Sequence, residues 1–188
     1  MTRTEQIEDL KGRTERIIEG AKKFDELGTE VLNQRETPQR WSVLECLEHL
    51  NYYGDFYLPE ISKRIERAVP SENENSQRGW LGNYFAQMML PAEEGKLKKM
   101  NTFKSMNPIH KKLDKDVVVK FLKQQEEMLR LLDKAKGVDL SKTKTSTSIS
   151  KFIKLRLVDT FRVVIYHNQR HLKQAEGVLK SVGGTITV

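Results

Sequence analysis

The chain has 188 residues, 37% of them hydrophobic and 31% charged, with 33 Lys and Arg against 26 Asp and Glu for a formal net charge of +7. That length suits one domain over 1–188 with a full core. No apolar run approaches the ~20 residues of a membrane span, no signal peptide is apparent in Met1-Thr2-Arg3-Thr4-Glu5, and the single Cys46 excludes an intramolecular disulfide and suits a reducing cytoplasm.

The first predicted helix opens at Thr2, with Glu5 three positions on to complete a capping box. Ile7, Leu10, Thr14, Ile17, Ala21, Phe24, Gly28 and Val31 then alternate by threes and fours, the seam of a bundle helix that runs to near Asn33. Thr37-Pro38 cannot continue it. A second capping box, Ser42-Val43-Leu44-Glu45, opens a helix expected to reach Ala68, and Trp41 is placed to staple onto Cys46. Val43, Leu47, Leu50, Gly54 and Ile61 line its core face. Cys46, His49, Tyr53, Phe56 and Tyr57 form an adjoining apolar-aromatic face, so His49 is predicted on the flank of a buried surface.

Residues 70–112 are the least regular. Trp80, Leu81, Tyr84, Phe85, Met88 and Met89 mark a short amphipathic helix, either packed on the bundle or serving as a lid over a pocket. Lys96, Lys98, Lys99 and Lys104 follow in a loop that faces an anionic substrate or water, and His110 belongs to the same loop and is not counted as a ligand. The third long helix starts near Asp114 or Asp116 and ends at Gly137. The fourth is read as Lys151 to Val182, capped by a Ser or Thr of the polar stretch 141–148. No strand pattern is longer than the tail from Gly183. Basic and acidic residues are interleaved throughout, so the positive excess reads as solvated helix surface and not as a nucleic-acid site. Four long amphipathic helices predict an all-α, up-down four-helix bundle with a short extra helix between the second and third.

His167 and His171 interrupt the apolar stripe of the last helix. Four residues apart, they point the same way with Cβ atoms roughly 6 Å apart. With the second helix beside the fourth, His49 completes a three-nitrogen set. Such a set either holds a metal with one open position or is a hydrogen-bonded cluster of buried histidines. Gln174, one turn beyond His171, is a candidate partner for an imidazole or a substrate. Glu45 is accounted for by its cap, and Arg170, Arg156 and Asp159 read as members of ion pairs.

Two segments carry a resemblance. Trp41-Ser42-Val43-Leu44-Glu45-Cys46-Leu47-Glu48-His49-Leu50 resembles the WSxxExxxHL segment of the DinB/YfiT-like superfamily, and His167-x3-His171-Leu172-x-Gln174 resembles its HxxxHLxQ segment. Segment spacing, helix pattern and length agree over nearly the whole chain. The resemblance implies a four-helix bundle, often dimeric, with a divalent metal (zinc or nickel) held by His49, His167 and His171. It also implies metal-dependent transfer to or from a low-molecular-weight thiol such as bacillithiol, with a small molecule as partner; water in the same open position would give hydrolysis instead. A non-catalytic bundle for binding or assembly is the alternative.

Overall fold

The computed structural model describes residues 1–91, 102–150 and 152–184. Thr2 caps α1 (Arg3–Asp25) as expected: its hydroxyl accepts the Glu5 N–H at 3.1 Å, and the Glu5 carboxylate accepts the Thr2 N–H at 2.8 Å. Ile7, Leu10, Thr14, Ile17, Ala21 and Phe24 are all buried along its seam. The helix stops eight residues earlier than the seam predicts. Gly28 adopts an extended conformation and opens a separate single turn, α2 (Thr29–Leu32), whose Leu32 is fully buried. Glycine gains least from staying helical, and re-aiming the chain here lets Leu32 reach the core.

Ser42 and Glu45 cap α3 (Val43–Glu66) by the same reciprocal pair of bonds. The short helix α4 (Trp80–Met89) lies where its pattern predicts, and α5 (Asp116–Lys134) begins where the Asp114 carboxylate accepts the Asp116 N–H at 3.0 Å. The last helix, α6, spans Leu157–Ser181. Among the long helices, α1 and α3 each pack against both α5 and α6, so the four enclose one apolar core. The fold is all-α, with a single two-stranded sheet among the described residues. No helix there is long and apolar enough to cross a membrane.

The start of α6 corrects the sequence reading. In place of a helix from Lys151, the chain forms an antiparallel hairpin, β1 (Lys144–Ser146) with β2 (Lys154–Arg156), Thr145 opposite Leu155. Thr145 and Leu155 are the buried members of an every-second-residue pattern, and the Thr145 hydroxyl meets that of Thr160 at 2.6 Å. Helical periodicity at Ile153 and Leu157 hid this two-residue alternation because each strand is only three residues long. At the other end, α6 finishes near Val182 as predicted, with Gly183 at φ 74° in the left-handed region that favours glycine. The tail residues 185–188, Lys151, and Lys96, Lys98 and Lys99 lie outside the described residues.

Candidate metal centre

The α3–α6 contact brings together what spacing alone left apart. His49 on α3 and His167 and His171 on α6 are all buried, and one ring nitrogen from each lies within 4.8 Å of the others. Ring centroids are 5.0 Å apart for His49–His167 and 4.6 Å for both pairs that include His171. His49 Nε2 and His167 Nε2 approach to 3.3 Å. Two nitrogens each ~2.0–2.1 Å from a tetrahedral ion stand about 3.3 Å apart, so this edge already has ligand-pair length.

The outer nitrogens assign the protons. His49 Nδ1 lies 2.7 Å from the Met106 carbonyl oxygen, which only accepts, so Nδ1 carries the hydrogen and Nε2 its lone pair. His171 Nδ1 lies 2.9 Å from Gln174 Oε1, which fixes the same tautomer and leaves its Nε2 bare. Burial pushes the pKa of His49 down to about 4 against the Met106 bond, and that of His171 down to about 3, with His49 adding to the effect. His167 is held well below its ordinary value by burial, then by His171 and His49. All three imidazoles are therefore neutral near pH ~7, the state in which they ligate. Three converging neutral imidazoles, two of them (His49 and His171) with bare Nε2 atoms, are a donor set suited to zinc, nickel or copper.

Aromatic rings wall the cluster. Trp41, expected against Cys46, lays its ring 4.7 Å from His49 and 5.6 Å from His171, while Tyr53 meets His49 at 5.0 Å and His167 at 4.7 Å. Cys46 is fully buried and its thiol is pushed far up by desolvation, so it stays protonated, and it is not a member of the cluster. The segment that reaches His49 is 103–110, through Met106. Helix α4 is instead seated on α6 by Asp159, which accepts the Gly79 N–H at 2.6 Å, and by Arg162, which donates to Asn83 at 2.9 Å. Asp159 pairs with Arg162 inside the protein, whereas Arg156 donates to the Gln77 carbonyl. His110 offers its backbone N–H to Glu45 and leaves its ring exposed.

Sequence reasoning missed the Met106 carbonyl, since a backbone acceptor 57 positions away leaves no residue-type signal. It also gave Glu45 too small a part. That carboxylate is fully buried and takes two bonds from Arg35, at 2.9 and 2.6 Å, besides the Ser42 and His110 amides.

A mostly helical chain with three buried imidazoles converging between two of its long helices defines a helical protein with a candidate metal centre. The sequence pattern of the DinB superfamily matches residues 14–175, and the chain belongs to that superfamily. Neither the curated proteins nor the solved structures contain a significant match to it.

Proposed function

We propose that the protein is a single-domain, up-down four-helix-bundle metalloenzyme over 1–188, in which His49, His167 and His171 hold one divalent ion, zinc or nickel. The observation that carries this is the convergence of three buried ring nitrogens, two of them with their outer N–H groups already committed to Met106 and Gln174. Three protein ligands leave one position for a small molecule. When bound, such an ion holds a thiol as thiolate near neutral pH, or lowers the pKa of a water toward ~7. The chain's own residues orient and enclose. The Met106 carbonyl and Gln174 fix the ring orientations, Trp41 and Tyr53 keep bulk water from the imidazoles, and the α3–α6 packing sets their separation. The reaction we favour is transfer to or from a low-molecular-weight thiol of the bacillithiol type, in the cytoplasm, with hydrolysis as the other outcome of the same site. A homodimer is the assembly that superfamily membership suggests.

A non-catalytic binding role is the second reading, favoured by the exposed face of α4, where Trp80 and Tyr84 are 84% and 58% exposed. Metal content of untagged protein and of the His49→Ala, His167→Ala and His171→Ala variants, after reconstitution, separates the two. Near-stoichiometric uptake by wild type and its loss in the variants is expected. Absent uptake, or equal uptake in the variants, ends the metalloenzyme reading. With cobalt in the site, a thiolate-to-metal absorption band should appear on adding a low-molecular-weight thiol. A spectrum unchanged by thiol would remove the transferase part alone.

A further inference from the structure

Trp41, just before α3, and Glu45 and His49, in its first turns, stand four residues apart, and each touches the same remote segment. The Trp41 indole N–H donates to Asn107 Oδ1 at 3.0 Å, Glu45 accepts the His110 N–H, and His49 Nδ1–H donates to the Met106 carbonyl at 2.7 Å. Asn107 Oδ1 also accepts the Ile109 N–H at 3.2 Å, which closes the turn. His110 sits at φ 64°, a left-handed conformation that side chains rarely adopt and that neighbouring bonds must hold in place. We propose that Glu45 is a positioning residue for the metal centre: it clamps segment 103–110 as a strap whose Met106 carbonyl keeps His49 in its ligating tautomer.

The proposal rests on the metal-site reading above, and its physical content is separate. Helix capping uses one of the four donors that Glu45 receives; Arg35 supplies two and the strap one. Arg35 neutralises the buried carboxylate and holds both of its oxygens in place, so Oε1 stays aimed at the His110 amide. A glutamine here has one acceptor oxygen and presents an NH2 group at the other position, where it faces donors only. It therefore cannot serve both the cap and the strap. Once the strap shifts, His49 Nδ1–H loses its acceptor, and the ring is free to place the proton on Nε2, the atom that would bind metal. Gln174 lies on the same helix as His171, so the His171 tautomer does not depend on the strap.

The test is nitrogen-15 correlation spectroscopy of the imidazoles in metal-free protein at alkaline pH, paired with metal affinity from chelator competition. In wild type, His49 and His171 should both be protonated on Nδ1. In Glu45→Gln, His49 should become a tautomer mixture while His171 is unchanged, and metal affinity should fall roughly 10-fold or more. Ser42→Ala removes the other half of the cap, since the Ser42 hydroxyl accepts the Glu45 N–H at 3.2 Å, and leaves the strap alone. It should lower thermal stability with His49 and metal affinity unchanged. Asn107→Ala frees the strap from Trp41 with Glu45 in place, should shift His49 in the same direction, and serves if Glu45→Gln does not fold. The proposal is overturned if Glu45→Gln or Asn107→Ala keeps the wild-type His49 tautomer, or if Ser42→Ala disturbs it equally. The tautomer result needs no metal, so failure of wild type to take up metal would refute the proposed function and leave the strap standing.

Discussion

Acid should unfold the metal-free protein early, and the histidine cluster should be the cause. In the folded chain His49 is pushed down to about 4 and His171 to about 3, with His167 well below its ordinary value, whereas each has a pKa near 6.5 when unfolded. Below ~6.5 the unfolded chain therefore binds more protons than the folded one, and stability falls with pH. At pH ~5 each histidine still neutral in the fold removes about 2 kcal/mol, and three remove about 6 kcal/mol if independent. That is comparable with the whole stability of many domains, ~5–15 kcal/mol. Glu45, held below the usual carboxylate range, loses its contribution only at lower pH, which leaves the window from ~6.5 to ~5 to the histidines. Asp159, raised by burial, opposes them. Urea unfolding in chelator, followed by far-ultraviolet circular dichroism at pH ~7.5 and ~5, measures the loss, and His171→Leu should reduce it by about one histidine's share. A wild-type loss below about 2 kcal/mol, or a variant as acid-sensitive as wild type, would refute the reasoning.

Gln174→Ala should weaken metal binding roughly 10-fold in chelator competition with little change in the melting temperature, because it removes the acceptor of His171 Nδ1–H from a half-buried position. Gly82→Ala should destabilise by about 1–3 kcal/mol and expose α4 to protease, since a Cβ there would stand 2.4 Å from Asp159 Cβ, an atom fixed to the α6 backbone. An unchanged melting temperature and digestion pattern would contradict that docking. Lys11, Arg13, Arg64, Lys120 and Lys136 each meet a carboxylate, so part of the positive charge is locally matched. Fluorescence anisotropy should detect no micromolar binding of DNA at physiological salt.

Local chemistry made several features legible before any coordinates. The capping boxes at Thr2 and Ser42 place two helix starts within a residue, because both halves of each box lie three positions apart in the chain. The pairing of His167 with His171 follows from helical pitch, and α4 from its dense apolar face. Other features were decided by contacts between distant segments. After α1 ends at Asp25 the chain turns at Gly28 so that Leu32 finds a buried place, and 154–156 pairs as a strand because Thr145 lies opposite Leu155. Bringing His49 to the other two imidazoles requires the α3–α6 packing. The Met106 carbonyl that orients it belongs to the backbone, which every residue shares, so no side-chain pattern announces it. Glu45 looked complete as a cap because its nearest donor, Ser42, is local. Its remaining bonds to Arg35 and His110 arise only when the folded chain brings three separate segments to one buried carboxylate.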